Sequence, residues 1–428
     1  MAIIQALRGT KDICAPEIAY WQRIEAVVRD CLGRATFQEI RTPIFEQTNL
    51  FERGIGEATD VVSKEMYTFT DRGDRQITLR PEGTAGAVRA YIENKLFAQG
   101  GVQRLWYTGP MFRYERPQAG RQRQFHQVGV EVLGSADARA DVEVIAIATE
   151  ILQKLGLKNL SLQLNSVGNG EDRQKYRAAL VEYLTPFKAD LDQDSQDRLE
   201  RNPLRILDSK DKKTQAIAKE APSILDYLSD GSKKHFDQVQ TSLTALGVEY
   251  HLNPCLVRGL DYYTHTAFEI QSSDLGAQAT VCGGGRYDGL VAELGGPDTP
   301  AVGWAIGLER LVILLQQLAA APVNELDFYV VSRGEKAEAA SVILAHKLRF
   351  AGCSVELDLS GSAFGKQFKR ADRSGAIACL VIGDNEAENN QVQLKWLQTK
   401  DQQILAQSEL LGNIDQWRQK INQARNQA

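Results

Sequence analysis

The sequence of 428 residues contains only six cysteines, and no two of them form a Cys-x-x-Cys pair. This scattered spacing excludes a disulfide framework or a zinc site of paired thiolates, and it favours reduced thiols in the cytoplasm. No run approaches the roughly 18 apolar residues of a membrane span, and the N-terminal residues lack the features of a secretion signal. We therefore expect a cytoplasmic protein with no structural metal and no membrane contact.

An excess of positive charge is also absent, since the formal net charge is -5. Any contact with nucleic acid must therefore come from a local basic patch. Hydrophobic residues at 43% and charged residues at 25% are typical of an ordinary globular protein, which excludes large-scale disorder. At roughly 100 to 200 residues per domain, the length predicts two or three domains.

A cationic loop between two predicted strands lies within residues 112–134. Pro117 and Gly120 are turn-forming residues between Arg116 and Arg121, and the residues that follow alternate as in a half-buried strand. Guanidinium groups suit phosphate because their donors form a fixed fork of matching shape. The arginines in or beside this loop are Arg113, Arg116, Arg121 and Arg123. Taken alone, the segment also fits a hairpin whose tip is solvated by arginines.

The strand after this loop is predicted to have one apolar face and one polar face, because successive side chains point to opposite sides. The polar face carries Gln127 and Glu131, about 13 Å apart at roughly 3.3 Å per residue, with Gly129 between them as an open floor. That space suits a small polar ligand beside the phosphate-binding arginines. The apolar face is formed by Val128, Val130 and Val132.

Three further segments have compositions that favour ligand binding. Residues 256–270 are a strand-like run rich in aromatic and β-branched residues, entered through Arg258. Consecutive glycines in residues 281–290 remove side-chain bulk and allow the backbone to approach another group closely. Residues 301–318 begin with two glycines and continue with leucines at helical spacing. Arg310 is thereby predicted in the first turns of a helix, where free N–H groups and the dipole favour anions.

With these segments in view, the chain resembles the histidyl-tRNA synthetases, a family of class II aminoacyl-tRNA synthetases, from end to end. The runs around Arg258 and Tyr287 resemble the histidine-specific segments of that family, whereas general class II motifs would leave the amino acid open. The resemblance implies an α+β fold: a class II catalytic core with an antiparallel sheet flanked by helices. The runs that carry it are residues 7–12, 78–84, 112–134, 258–263, 283–289 and 303–310, the last expected as a helix.

The resemblance also implies a domain organisation. A catalytic core is expected over residues 1–322, with a charge-dense helical module inserted at about 171–250, and a C-terminal α/β anticodon-binding domain over 325–428. The family places the helical module over the acceptor end of tRNA, although a solvated spacer fits the sequence as well. Alternating strands and helices predict a largely parallel sheet in the C-terminal domain. These elements are residues 328–331, 335–350, 354–357, 363–373 and 377–382.

The implied activity is that of a histidine–tRNA ligase. Histidine first reacts with ATP to give histidyl-adenylate and pyrophosphate, and the histidyl group then passes to the 3′ end of tRNA(His). The attacking carboxylate is already ionised at neutral pH, so the first step requires alignment and stabilisation of phosphate charge but no general base. Mg²⁺ is expected to accompany ATP. The resemblance assigns catalysis to Arg113, Arg258 and Arg310.

The resemblance further assigns the binding residues. A pocket that bonds both imidazole nitrogens can reject ligands without them by roughly 10⁴-fold, since its own polar groups would be left unpaired. Residues expected at histidine are Glu82, Thr84, Gln127, Glu131, Tyr262, Tyr263 and Tyr287. Residues expected at ATP are Arg113, Glu115, Arg121, Phe125 and Arg310. Residues expected at the tRNA acceptor end are Arg116 and Gln118.

Residues 17–32 predict an amphipathic helix, and Pro43 in the extended stretch after it indicates an edge strand or an interface. The resemblance places both at a dimer interface and implies a homodimer, while an ordinary core helix explains the pattern equally well.

Two rival functions share part of this pattern. A non-catalytic regulatory subunit of ATP phosphoribosyltransferase in histidine biosynthesis would share the fold, but it typically lacks the C-terminal domain and the intact histidine-specific segments. A pure RNA-binding module would use the basic loop alone. Such a module would not require Glu82, Gln127 and Glu131 at pocket-facing positions, nor Arg310 at a helix start.

Overall fold

The computed structural model describes residues 3–56, 59–319, 321 and 326–426. The chain divides into two compact units, Met1–Pro322 and Val323–Ala428. The boundary predicted between residues 322 and 325 lies outside the described residues. Among the helices described, none is both long and apolar enough to cross a membrane.

The first unit contains strands and helices throughout its length. Its strands are β1 (Gln38–Glu39), β2 (Phe45–Gln47), β3 (Tyr67–Thr70), β4 (Gln76–Leu79), β5 (Gln103–Phe112), β6 (Gln124–Leu133), β7 (Leu160–Ser166), β8 (His251–Leu252), β9 (Thr264–Ser272), β10 (Thr280–Arg286) and β11 (Ala301–Gly307). Its α-helices are α1 (Ile18–Arg34), α2 (Thr48–Ile55), α3 (Thr84–Glu93), α4 (Ala138–Lys154), α5 (Gly170–Leu184), α6 (Gln193–Arg201), α7 (Lys212–Lys219), α8 (Asp230–Ala245), α9 (Leu290–Glu293) and α10 (Leu308–Leu318).

Most of these strands form one large sheet in the order β1-β5-β6-β11-β10-β9-β7-β8. Neighbouring strands are antiparallel except at the two ends, where β1 pairs with β5 and β8 pairs with β7 in parallel. Strands β2, β4 and β3 form a separate small sheet. The predicted antiparallel sheet flanked by helices is therefore confirmed.

The valines of β6 show how the large sheet separates a core from a site. Val128, Val130 and Val132 are buried in a core that also includes α1, α4, α8 and α10. Each buried side chain of this size stabilises the fold by about 1.5–3 kcal/mol. The alternate side chains of β6 face the opposite side, where α3, α5, α6 and α7 contribute to the second core. The two-residue period thus directs the polar side chains toward a cavity.

Helix α1 confirms the helix predicted over residues 17–32. Its buried side chains include Trp21, Ile24, Val28 and Cys31, at spacings of three and four residues. They pack against α4 and α10 in the first core, so the apolar face of this helix is used within the chain. Pro43 precedes β2, which is an edge strand of the small sheet as predicted.

Two predicted elements have different bounds in the structure. Strand β9 covers only residues 264–272, and residues 258–263 are irregular because their backbone does not join the sheet ladder; the N–H of Asp261 instead donates to the carbonyl of Ile55 at 3.2 Å. Residues 301–307 form a strand and not the start of a helix, because β6 and β10 both pair with them. Helix α10 begins only at Leu308.

Residues 171–250, named the helical module above, contain α5, α6, α7 and α8 with short 3₁₀ segments between them. Phe236, Val239 and Leu243 of α8 are buried in the first core against α4. Side chains of α5, in contrast, contribute to the second core on the other face of the sheet. The module therefore packs on both sides of the large sheet.

The second unit is an α/β domain around a mixed sheet. Its elements are β12 (Phe328–Arg333), α11 (Glu335–Phe350), β13 (Val355–Leu357), α12 (Phe364–Arg373), β14 (Ala378–Gly383), α13 (Asp384–Glu388), β15 (Gln391–Trp396), β16 (Gln402–Ala406), α14 (Gln407–Gly412) and α15 (Ile414–Asn426). Strands pair in parallel from β13 through β12 to β14, but the remaining pairs, β14 with β15 and β15 with β16, are antiparallel. The prediction of a largely parallel sheet is therefore only half right, because it did not include the hairpin of β15 and β16.

Candidate active site

A cavity of about 220 Å³ opens on the polar face of the large sheet. It brings together arginines from three distant segments, on the loop after β5, on the irregular segment before β9 and on α10. Glu131 lies in the layer beneath the cavity, and Arg116 and Gln118 lie outside it. The predicted residues that line the cavity are Glu82, Thr84, Arg113, Glu115, Arg121, Phe125, Gln127, Arg258, Tyr262, Tyr263, Tyr287 and Arg310.

Glu131 occupies a buried position between two tyrosine hydroxyls. Tyr107 donates to its Oε1 at 3.1 Å, and Tyr287 donates to its Oε2. The floor predicted to be open at Gly129 is filled by the ring of Tyr107, because a Cβ at residue 129 would lie 2.3 Å from the Tyr107 hydroxyl oxygen. The absence of a side chain at Gly129 therefore makes room for Tyr107 and not for a ligand.

The buried cluster of Glu131, Tyr107 and Tyr287 also requires glycine at residue 303, because no side chain would fit there. A Cβ at this position would lie 2.1 Å from Oε2 of Glu131 and 2.3 Å from the carbonyl oxygen of Val130. Both distances are far below van der Waals contact, and the strand lies between β6 and β10, so it cannot shift freely. Glycine at residue 303 thus allows the carboxyl group to fit beneath the cavity.

Burial is the main influence on the charge of this cluster. It raises the pKa of Glu131 to about 8, although the hydrogen bond from Tyr287 acts in the opposite direction. Burial also raises the pKa values of Tyr107 and Tyr287, so both phenols stay protonated and able to donate. The cluster is therefore a buried carboxyl group held by two neutral hydroxyls.

The raised pKa of Glu131 gives a pH-dependent stability with a definite sign. Between the ordinary value of 4.5 and about 8, the folded protein binds this proton more tightly than the unfolded chain does. The free energy of unfolding should therefore fall as pH rises through this interval, by at most about 1.4 kcal/mol per pH unit. Unfolding of wild type and Glu131→Gln at a series of pH values should show a steeper fall in the wild type, because other buried carboxyls such as Glu82 contribute equally to both proteins.

The first unit can be followed selectively in that experiment. A background with Trp396→Phe and Trp417→Phe leaves the remaining tryptophans in the first unit alone. Parallel pH profiles for the two proteins would contradict the raised pKa.

Glu82 lies where a carboxylate can hold the first turn of α3. Its two oxygens accept the N–H groups of Thr84 at 2.6 Å and Ala85 at 2.8 Å. The free N–H groups of a helix start favour such an acceptor. Burial nevertheless raises the pKa of Glu82. Nearby, Oε1 of Gln127 is buried and accepts no hydrogen bond from any described residue, so it is available to a ligand donor.

Three tyrosine rings form the wall next to this polar end. The ring centroids of Tyr262 and Tyr263 are 4.7 Å apart, and Tyr262 meets Tyr287 edge to face at 5.5 Å. All three are nearly buried. They therefore give the cavity a rigid aromatic side that limits the size of a ligand.

Arg113 is anchored at the other end of the cavity. Its Nε donates to the carbonyl of Pro81 at 2.8 Å, and its guanidinium lies 5.3 Å from the centroid of the Phe125 ring. Arg121 pairs with Glu115 at 3.1 Å. These contacts orient two guanidinium groups beside one aromatic ring and one carboxylate.

Arg258 is held by the sheet although its backbone lies outside it. It forms an ion pair with Glu269 of β9, and its guanidinium lies over Gly283, where a Cβ would be 2.2 Å from Nη2. Burial opposes its charge, but Glu269 more than offsets this and raises the pKa of Arg258. Its Nε is buried and meets no acceptor among the described residues. The side chain thus stays cationic with a donor available.

Arg310 lies in the first turn of α10, as predicted, and donates to the carbonyl of Thr280. Burial, with repulsion from Arg121, lowers the pKa of Arg310. The preceding Glu309 fixes the helix to β6, because its carboxylate accepts the N–H of His126 at 2.9 Å. The end of the cavity near α10 is therefore densely cationic.

Arg116 and Gln118 are exposed on the loop between β5 and β6. The N–H of Gln118 donates to the carbonyl of Arg121 at 3.0 Å, and the reciprocal bond is 2.9 Å, so the loop tip is a closed turn. Both side chains are therefore placed outside the cavity that encloses the other predicted residues.

Three residues of the site were not predicted from the sequence. Glu269 alternates with the core residues Phe268 and Ile270, so the two-residue period of β9 could have identified it. Tyr107 could have been found only with the pairing register, which sets it opposite Gly129. Glu309 carries no such signal, because its contact with His126 joins residues 183 positions apart.

Comparison with known proteins covers both units. The family model described as histidyl-tRNA synthetase matches residues 9–311, and the one described as anticodon binding domain matches residues 327–417. Histidine–tRNA ligase of Picosynechococcus sp. is 87% identical over 425 residues, which are 99% of this chain and 100% of that protein. The Gloeothece citriformis protein of the same name is 72% identical over 99% of each chain.

A solved structure agrees with these matches. The crystal structure of apo S. aureus histidyl-tRNA synthetase is similar to the chain with a TM-score of 0.81 at 40% sequence identity. The alignment covers 96% of this chain and 99% of that one.

Proposed function

The chain belongs to the histidyl-tRNA synthetase family, and on that premise we propose that it is a histidine–tRNA ligase. It forms histidyl-adenylate and pyrophosphate from histidine and ATP and then transfers histidine to the 3′ end of tRNA(His). The regulatory-subunit alternative is not favoured, because relatives named as the ligase match nearly the whole chain at high identity.

One observation carries the proposal: a single cavity has a cationic end and a carboxyl-and-phenol end. Arg113, Arg258 and Arg310 are proposed to bind the phosphates of ATP and to stabilise the charge that develops at the α-phosphate. Because the donors are already anchored, little reorganisation is needed during the reaction. Mg²⁺ is proposed to enter with ATP, bound to its other phosphates.

The remaining residues of the cationic end are proposed to bind the base and the terminal phosphates. The ring of Phe125 offers a stacking surface for adenine, and Glu115 is an acceptor for its amino group. Arg121 is proposed to assist at the terminal phosphates, which its position beside Arg310 on the cavity wall supports.

The opposite end is proposed to bind histidine. Glu82, Thr84 and Gln127 would contact the α-ammonium group, for which the unpartnered Oε1 of Gln127 is a suitable acceptor. The imidazole would lie near Glu131 and Tyr263. A cluster of carboxyl and hydroxyl groups provides partners for both ring nitrogens.

Tyr262 and Tyr287 would complete the aromatic wall around the ring, which their burial and edge-to-face contact support.

The second unit is proposed to bind the anticodon, and the catalytic core is proposed to span residues 1–322 with the helical module inserted at about 171–250. Arg116 and Gln118 are proposed to contact the acceptor end of tRNA, which their exposure on the loop supports. A cytoplasmic location is proposed from the scattered cysteines.

A homodimer is proposed through the small sheet. Phe45 on β2 and Phe69 on β3 are 59% and 47% exposed, and Ile44 beside them is 44% exposed. Large exposed apolar side chains grouped on one sheet are typical of a protein interface.

Histidine-dependent exchange of pyrophosphate into ATP tests the ligase function directly. The wild-type protein should catalyse exchange with histidine, because adenylate formation is reversible at the enzyme. Exchange should disappear when histidine is omitted. Absence of exchange with all substrates present would contradict the proposed activity and favour a non-catalytic role.

Arg116→Ala provides the matched control for that experiment. Its proposed contact is with tRNA alone, so this variant should retain exchange while it charges a tRNA(His) transcript more slowly. Loss of both activities would show that the loop acts on adenylate formation.

A further inference from the structure

The irregular segment 258–263 connects Arg258 to Tyr262 and Tyr263, yet it gains little support from the sheet. None of its residues belongs to a strand, since β9 begins at Thr264. The side chain of Arg258 is held by Glu269, but that contact fixes only the tip of the side chain. The position of the backbone that carries Arg258 must therefore be set by other contacts.

Three side chains of the helical module contact this segment, and two of them donate to its backbone carbonyls. Arg173 of α5 donates through Nη1 to the carbonyl of Asp261 at 3.2 Å and to that of Tyr263 at 2.8 Å. Arg205, in the 3₁₀ segment after α6, donates to the carbonyl of Arg258 at 3.2 Å. The helical module thus donates hydrogen bonds to backbone carbonyls at both ends of the segment.

Asn202 adds a contact at the middle of the segment. Its side-chain amide donates to Oδ1 of Asp261 at 2.8 Å. Arg205 also passes over Gly259, since a Cβ there would lie 3.8 Å from its Nη1. Hydrogen bonds from charged donors are stronger than those from neutral donors, so this set of contacts can fix an irregular backbone.

From these contacts we propose that Arg173, Asn202 and Arg205 are positioning residues for Arg258, and that the helical module is the frame that places this arginine at the α-phosphate. The inference rests on the proposed function, in which Arg258 contacts the reacting phosphate. Arg173 and Arg205 act through backbone carbonyls of the segment, and Asn202 acts through the side chain of Asp261. They do not line the cavity described above, although Arg205 also lines the wider cleft beside it together with Arg258. A displacement near 1 Å at a catalytic group can cost about 10²-fold in rate.

The test compares Arg205→Ala with Arg205→Lys in the full-length protein. Single-turnover formation of histidyl-adenylate should slow by about tenfold or more in Arg205→Ala, because the carbonyl of Arg258 loses its charged donor. The dissociation constants for ATP and histidine should stay near wild type. Lysine can still donate to a carbonyl, so Arg205→Lys should recover part of the rate. An Arg205→Ala protein with the wild-type rate would overturn the proposal.

Arg201→Ala is the matched control, because Arg201 lies exposed in the same module at the end of α6 and donates no hydrogen bond to residues 258–263. It should keep the wild-type rate. If Arg205→Ala fails to fold, Asn202→Ala removes the contact with Asp261 and should also slow the single turnover. In that case a wild-type rate in Asn202→Ala would overturn the proposal.

A double variant separates positioning from general damage to the fold. In an Arg258→Ala background, Arg205→Ala should cause no further loss of rate, since its effect passes through Arg258. Additive losses would assign Arg205 a structural role. Absence of pyrophosphate exchange in the wild type would instead overturn the ligase function itself, so the two failures are distinguishable.

Discussion

Arg258→Ala is expected to slow single-turnover formation of histidyl-adenylate by about 10²- to 10³-fold, the range found when one preorganised donor to a developing charge is removed. Arg258 is cationic, nearly buried and held by Glu269 against the glycines of β10. Its charge is therefore available without reorganisation. Rapid-quench measurement with saturating ATP and histidine reports the step directly, and a near-normal rate would reject the role.

The variant Arg258→Ala leaves Glu269 without its cation, which could disturb the site by itself. The double variant Arg258→Ala with Glu269→Gln removes that unpaired carboxylate. Its rate should remain as low as that of the single variant, because the missing group is the cation at the phosphate. Recovery of the rate in the double variant would show instead that an uncompensated carboxylate caused the defect.

Glu131→Ala is expected to weaken histidine binding by about 10²-fold while ATP affinity stays near wild type. The substitution removes the carboxyl group proposed as a partner of the imidazole, and the Tyr287 hydroxyl at the cavity wall loses the bond that orients it. A factor of ten in affinity corresponds to about 1.4 kcal/mol. Equilibrium titration with histidine alone measures the effect, and unchanged affinity would remove Glu131 from the binding site.

The variant Glu131→Gln separates the effect of losing the ionisable carboxyl group from the effect of losing side-chain volume. The glutamine carbonyl can still accept one of the two tyrosine hydroxyls, and the side chain nearly fills the same space beneath Gly303. Its loss of affinity should therefore be smaller than that of alanine. Equal losses in the two variants would mean that the ionisable carboxyl, and not the packing of the tyrosines, governs histidine binding.

Much of the fold could be predicted from the local spacing of apolar and polar residues. The alternation of valines in β6 and the three-and-four spacing in α1 are confirmed because both depend on residues close together in the chain. The hairpin of β15 and β16 was missed because no element was predicted after residue 382, although residues 391–396 alternate polar and apolar side chains and bury Val392 and Leu394. The strand predicted over residues 256–270 is confirmed from Thr264 onward and wrong before it, because tyrosines favour strands locally, whereas hydrogen bonds to other segments decide the backbone path of residues 258–263.

The amino-acid sequence was enough to identify the chemical groups of the site, which are arginines for phosphate and a carboxyl with phenols for a small polar ligand, and to identify the family with these motifs. Three features became known only from the folded chain: Tyr107 fills the space over Gly129, Glu131 is buried beneath the cavity, and the helical module holds the segment of Arg258. Composition and the spacing of apolar residues can be read from neighbours in the chain. Burial and strand register depend on residues that are far apart in the chain. A hydrogen bond between such residues exists only once the fold has brought them together.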